Sequence, residues 1–600
     1  MPIFRRLNFK EETIMLKGFA FFLKQGWKYD KRYILWLFLL QLVGAITPIV
    51  AALLPRMVID ELTGMRRVGY LAMYVLAFAG WSCISGALAA FLAKDCFTHR
   101  CRVDAAFGFE MHERLARADY GNLESPGFKD MQEKAKKFLT CDYHGFGYLL
   151  DCGANIVGQL MTIAGLIAIL GAMELWFILL FAGLAVVASL IESRAMKRAM
   201  SLSMEVVNDS RRWTYYAGLF EQAKYGKDIR VNGMAAWLLG RERQVVARAN
   251  ANLKRQNNCY IASGVKRAGL TYVQQVASYG VLMGKVLAGS LSIGAFTMCI
   301  SAVTSFSMAV RELMDRLTEI RAYDLYYAQL DEYLNIPQLL RTGERMPTPG
   351  GRRRIEFRDV GFRYPGAEGW ALRHIDLVIE PGQRLALVGE NGSGKSTLIK
   401  LLCRLYAPTE GAILMDGVDI REYDYDRYLD QFAAVFQDFQ LFDCSLRDNI
   451  LLGRAMEDER LDDVIERVGL RARVAALPRG KDTTVGRQFD EEGFEPSGGE
   501  AQKIALARAL CKDAPVIILD EPTAAMDPRA EYELYRGFDA LVRERTAVYI
   551  SHRLSACRFC DRIAVLHQGS LVEYGDHDAL MEQGARYAEL YRMQAQYYAE

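Results

Sequence analysis

The sequence predicts two unlike parts in one chain: an α-helical six-span transmembrane domain, then an α/β P-loop domain with a helical subdomain. Three observations predict this. The chain has 600 residues, too many for one compact domain, and its mean hydropathy of +0.02 lies between a soluble enzyme and an all-membrane protein. Charge divides along it: residues 1–349 carry 41 Lys/Arg against 29 Asp/Glu, and residues 350–600 carry 33 against 43. A basic half of +12 thus cancels an acidic half of −10. This excludes a uniformly basic nucleic-acid binder and a disordered chain, so no nucleic-acid partner is expected. Third, the long apolar stretches cluster in the first half and the glycine-rich motifs in the second.

The N-terminus stays charged to about residue 17, without a short apolar core and a small-residue cleavage site, so no removable signal peptide is expected. Residues 17–30 mix Lys with Phe and Trp, as an amphipathic helix on a membrane surface does. Six apolar stretches follow, at about 33–55, 69–93, 148–171, 173–191, 268–288 and 291–310. Each is near the roughly 20 residues that cross a bilayer. The fifth is the most polar, with Gln274 and Gln275. Lys/Arg counts orient them: eight in 1–32, eight in 95–147 and thirteen in 193–257, against Arg66, Arg67 and Lys285 in the opposite loops. Both termini and the two long loops are therefore expected in the cytoplasm. Those loops read as membrane helices continued outward, turning near 121–128 and 224–231. Twelve cysteines, scattered except for Cys557 and Cys560, suggest neither a disulfide framework nor a zinc site.

Residues 311–342 continue as a polar helix. The expected division is a membrane domain over 1–340, a linker over 341–352 and a second domain over 353–600. Ile355–Tyr364 and Leu372–Ile379 alternate like strands. The strand Leu385–Val388 then leads into Gly389-Glu390-Asn391-Gly392-Ser393-Gly394-Lys395-Ser396-Thr397 and a helix over 398–405. This run matches a P-loop in its required setting. Gly392 and Gly394 let backbone N–H groups turn toward phosphate oxygens. Lys395 brings a positive charge to the β- and γ-phosphates, Ser396 a hydroxyl for Mg²⁺, and the helix N-terminus favours the anion. A second strand, Val516–Leu519, ends in Asp520 and Glu521. Asp520 is placed to reach the Mg²⁺ shell, and Glu521 to polarise an attacking water. Between them Ser497-Gly498-Gly499-Glu500 opens an Ala/Leu-rich helix, a further phosphate-facing N-terminus.

With these motifs in this order the chain resembles an ABC transporter half-molecule of the exporter type over essentially its whole length. The resemblance implies ATP and Mg²⁺ as ligands and gives roles to particular residues. Tyr364 stacks on adenine. Gln437 contacts Mg²⁺ and the attacking water. Ser497, Gly498 and Gly499 close on ATP held by the opposite subunit, Asp527 crosses the dimer interface, and His552 contacts the γ-phosphate. A second half-transporter, identical or related, is therefore the expected partner, within the lipid bilayer. The bends near 121–128 and 224–231 resemble the coupling helices that dock onto the ATPase domains.

The chain departs from the family at three places. The signature reads Pro496-Ser-Gly-Gly-Glu500 rather than Leu-Ser-Gly-Gly-Gln, which adds negative charge near a phosphate site and is expected to slow or weaken closure. Arg487 stands where exporters usually carry Glu, with Glu491, Glu492 and Glu495 nearby, and the segment before Asp527 reads Ala-Ala-Met. Polar residues in the apolar stretches (Gln41, Asn155, Gln159, Ser301, Thr304, Ser305), with Asp151 and Glu192 near their cytoplasmic ends, mark either a pathway or helix packing. The expected function is ATP-driven export of an amphipathic peptide, lipid or drug-like molecule. With only about 32 residues before the first span, a leader-cleaving exporter is not expected. The alternatives are a siderophore-type importer on the same scaffold and a nucleotide-binding subunit that does not pump.

Overall fold

The computed structural model describes residues 9–136, 145–170, 212–348, 350–522, 545–550 and 554–599, with scattered positions between 183 and 209. The chain forms two units, Met1–Ala116 with Asp130–Ile336, and Arg117–Lys129 with Pro337–Glu600.

The first unit is helical. Its long helices are Lys31–Thr63, Val68–Arg117, Phe146–Leu170, Ala235–Leu287 and Ile293–Leu334. At 50 residues, Val68–Arg117 runs about 75 Å at 1.5 Å per residue, more than twice the roughly 30 Å apolar core of a bilayer. Among the described residues four helices are long and apolar enough to cross a membrane: Lys31–Thr63, Val68–Arg117, Phe146–Leu170 and Ile293–Arg321. The stretch 268–288 is helical, but Gln274, Gln275 and Lys285 leave it less apolar than those four. Most of 173–191, and Glu192, lie outside the described residues.

Helix starts follow their caps. The Asp30 carboxylate accepts from the N–H groups of Arg32 and Tyr33, and the Ser292 hydroxyl from that of Ala295. The polar helix expected to reach 342 stops at Leu334, capped at Asn335, because Pro337 follows. Gly158 and Gly165, seven residues apart on one helix face, stand against Gln41 and Ile49, where a Cβ would collide with either side chain. This is the close approach that small residues permit between membrane helices. The N-terminal helix Phe9–Tyr29 buries Phe22 against Phe146, with ring centroids 5.0 Å apart, and leaves Leu23 and Trp27 exposed.

The second unit holds two sheets. One, in the order β2-β1-β4-β5, pairs Ile355–Phe362 (β1) with Leu372–Ile379 (β2) and Glu410–Met415 (β4), and β4 with Val418–Asp419 (β5), all antiparallel. The other, in the order β10-β9-β3-β8-β7-β6, has Arg384–Val388 (β3) parallel to Thr546–Ile550 (β8) and Arg562–His567 (β9). Val516–Asp520 (β7) runs parallel to β8 and to Phe432–Val435 (β6), and Ser570–Gly575 (β10) closes the edge antiparallel to β9. Strands β7 and β8 are buried at every residue, as continuous apolar runs require in a parallel sheet covered on both faces. Strands β3 and β7 both end at the carboxyl edge where such sheets place ligands. The helical subdomain follows β6, with Leu446–Leu451, Asp458–Arg467 and Arg471–Ala475. Leu461, Ile465 and Ile504 share its core.

Candidate active site

The loop after β3 needs its glycines. Gly389, Gly392 and Gly394 have φ of 151°, 80° and 106°, backbone that side chains disfavour. A Cβ on Gly394 would also press into Leu372. Lys395 opens the helix Lys395–Leu402, and its Nζ folds back to donate to the carbonyls of Gly389 (2.7 Å) and Glu390 (2.9 Å). Burial lowers the Lys395 pKa, partly offset by the charges of Glu521 and Asp520. The β9–β10 turn braces the loop, Gly569 N–H donating to the Ser393 carbonyl at 3.2 Å.

This loop forms the floor of a cavity of about 800 Å³ lined by Tyr364, Asn391, Gly392, Gly394, Lys395, Ser396, Thr397, Gln437 and Glu521. Of the residues singled out in the sequence, the fold thus brings nine into one pocket. The Tyr364 hydroxyl lies 3.0 Å from that of Thr397, and its ring meets Tyr406 edge-on with centroids 5.4 Å apart. The Gln437 amide donates to Glu521 Oε2 at 3.1 Å. Trp370, Ala371, Gln568 and Gly569 also line the cavity; they belong to turns whose position depends on the sheets, so no local motif marks them.

Asp520, at the end of β7, is 5% exposed. Burial and then the neighbouring Glu521 charge push its pKa up to about 6, against a bond from Ser396 and the charge of Lys395. Its Oδ1 and the Ser393 hydroxyl are buried with no hydrogen-bond partner among the described residues. Glu521 sits at φ 51°, a left-handed conformation that is costly outside glycine and is held by Glu521 N–H to Ile550 carbonyl at 3.0 Å.

Ser497, Gly498 and Gly499 do not line this cavity; they start a separate helix, Gly498–Lys512. Arg487 donates from Nε to the Gly493 carbonyl at 2.9 Å, while Glu491, Glu492 and Glu495 are exposed. Asp527 and His552 lie outside the described residues.

In the helical unit the pathway candidates separate. Gln41 packs at a helix contact. Asp151 accepts from Tyr33 (2.7 Å) and Arg100 (3.3 Å), a tie between helices. Asn155 and Gln159 both donate to Glu312, at 3.2 and 3.1 Å, so these amides share a carboxylate that lies outside the residues singled out in the sequence. Thr304 lines a cavity of about 160 Å³ between helices Ala235–Leu287 and Ile293–Leu334, together with Arg267, Gln275, Ser307 and Arg311. Ser301 is exposed and Ser305 half-buried.

Residues 372–524 match the ABC transporter family. An ATP-dependent lipid A-core flippase from Bordetella avium is 33% identical over 464 residues, 75% of each chain. The subtilin transport ATP-binding protein SpaT of Bacillus subtilis is 26% identical over 592 residues, 97% of this chain and 95% of that one. The fold matches the structure of a bacterial Atm1-family ABC exporter with ATP bound, with a TM-score of 0.80 at 23% identity, covering 94% of this chain and 99% of the other. The chain belongs to the ABC transporter family. It is an exporter half-transporter: a multi-pass membrane protein whose ATP-binding domain drives export, in a family that works as dimers.

Proposed function

We propose that this half-transporter exports an amphipathic molecule, with ATP hydrolysed at two composite sites of a dimer. The observation that carries this reading is the meeting of Lys395, Gln437 and Glu521 in one cavity. Tyr364, with Trp370 beside it, receives adenine. The backbone from Gly389 to Thr397 wraps the phosphates, and Lys395 exchanges its carbonyl partners for the β- and γ-phosphates. Glu521 takes a proton from the attacking water, and Gln437 holds both in line. Ser497, Gly498, Gly499 and Asp527 face the ATP of the opposite subunit, and His552 the γ-phosphate.

The donor set fits a divalent cation: Asp520 presents a buried oxygen with no partner among the described residues, and the Ser396 hydroxyl reaches the same carboxyl. Ser396, Gln437 and Asp520 would hold Mg²⁺, which when bound neutralises phosphate charge.

We assign residues 1–340 to the membrane domain, 341–352 to the linker and 353–600 to the nucleotide-binding domain, with both termini cytoplasmic as the basic loops require. The excursion Arg117–Lys129 groups with the nucleotide-binding unit. There Gly121 sits against the Tyr406 ring, Glu124 accepts from the Tyr406 hydroxyl, and Lys400 pairs with Glu124 at 3.4 Å. This supports its role as a coupling helix. The helix Ala223–Val231, whose Val231 is exposed, is assigned the matching role toward the second half-transporter.

An amphipathic cargo is supported by the cavity that sets Arg267 and Arg311 against Ile300, Val303 and Met308. The flippase and subtilin-transporter relatives place lipids and peptides among the candidates. ATP-dependent uptake of a fluorescent anionic lipid or peptide into inside-out vesicles tests this reading. Uptake that requires ATP supports it; ATP-driven release from the vesicles overturns it.

A further inference from the structure

The unusual Glu500 is fully engaged. Ser497 caps the helix Gly498–Lys512 through a reciprocal box: its hydroxyl oxygen accepts from Glu500 N–H at 3.3 Å, while its own N–H donates to Glu500 Oε2 at 2.8 Å. The Ser497 hydroxyl itself lies 3.0 Å from the same Oε2. A carboxylate only accepts, so the single hydroxyl proton points at Glu500. The other carboxylate oxygen, Oε1, lies 3.0 Å from Arg473 Nε, an ion pair that lacks hydrogen-bond alignment. Arg473 belongs to the short helix Arg471–Ala475 and stands over the Phe494 ring, 5.4 Å from its centroid. The charge that the sequence placed near a phosphate site therefore has both a hydroxyl proton and a counter-ion.

We propose that Glu500 and Arg473 latch the signature serine: Glu500 retains the Ser497 hydroxyl proton until the γ-phosphate of the opposite subunit's ATP displaces it, and Arg473 then keeps the released carboxylate. A fully ionised phosphate is also acceptor-only, so Ser497 serves one anion at a time. A charged acceptor binds a donor about twice as strongly as a neutral one. The latch therefore opposes ATP-driven closure without touching the cleavage step. Glu500 and Arg473 are positioning residues: Glu500 raises the ATP concentration needed for closure, Arg473 offsets part of that rise by neutralising the released carboxylate, and both leave the turnover of the closed state unchanged. The inference rests on the reading of Ser497 as a phosphate contact.

The test is steady-state ATPase kinetics of the full-length transporter in lipid nanodiscs. Glu500→Gln preserves the helix cap and replaces the charged acceptor by a neutral one. It is expected to lower KM for ATP about tenfold with kcat within about twofold. Arg473→Gln leaves Glu500 without its counter-ion and is expected to raise KM about threefold or more, an effect that vanishes in the Glu500→Gln background. A KM unchanged by Glu500→Gln, or an Arg473→Gln effect equal in both backgrounds, overturns the latch. Ser497→Ala separates the two claims: hydrolysis at the parent rate and KM in that variant overturns the phosphate-contact reading itself.

Discussion

The amide of Gln437 donates a 3.1 Å hydrogen bond to Glu521 Oε2 across the mouth of the cavity shaped by the phosphate loop. The two residues leave the carboxyl ends of neighbouring parallel strands, β6 and β7. The contact therefore follows from sheet order rather than from chain proximity. It aims a carboxylate that sits on strained backbone at φ 51°. Gln437→Ala is expected to slow hydrolysis about 10- to 100-fold while ATP binding changes less. Single-turnover hydrolysis beside equilibrium ATP binding checks this.

Lys395 donates to two loop carbonyls that lie along the phosphate path. Replacing it by Ala removes the one cationic side chain among the described residues that line the cavity. Lys395→Ala is expected to weaken ATP binding about tenfold or more, measured with labelled nucleotide on purified protein.

Asp520 gives a pH dependence of definite sign. Its folded pKa is raised, from 3.8 to about 6, so the folded state binds more protons than the unfolded state in that interval. Without nucleotide, stability therefore falls as pH rises from about 4 through about 6, and the deficit is complete above that. Asp520→Asn is expected to raise the melting temperature of the ATP-free protein at pH 7.5. That gain shrinks as the pH is brought toward 5, and Mg²⁺-dependent ATP binding weakens. Thermal melts at both pH values, with and without MgATP, check all three.

Tyr406 links Tyr364 of the candidate cavity to the excursion that begins at Arg117. Its ring meets Tyr364 on one side and Tyr120, 5.8 Å away, on the other, while its hydroxyl serves Glu124. That hydrogen bond is the largest cause of the lowered Glu124 pKa. Glu124→Gln is expected to keep basal ATPase within about threefold of the parent, since Gln can still accept from the Tyr406 hydroxyl, and to lose its stimulation by cargo. ATPase assays with and without the transported lipid or peptide check this.

Much of the candidate site is legible in the sequence because its motifs are local. A buried strand, a glycine loop and a helix follow one another between Leu385 and Leu402, and the acidic pair directly ends an aliphatic strand. Trp370 and Gln568 were not legible, because the β-sheets bring their turns to the loop and no spacing along the chain encodes that. Glu500 was visible as a departure, but not its fate, since Arg473 lies 27 residues upstream in another element. In the helical unit, polarity within the apolar stretches identifies candidate residues without separating packing from pathway. Gln41 proved to be a contact partner of a glycine face, whereas Asn155 and Gln159 meet at Glu312.

Glu521 acting as the base for ATP hydrolysis, in a dimer that must close, is the step on which the proposed export depends. Its most direct measurement is the ATPase rate and nucleotide content of Glu521→Gln in lipid membranes. Turnover is expected to fall about 100-fold or more, with ATP retained in a stable dimer. Hydrolysis at the parent rate in that variant would contradict it.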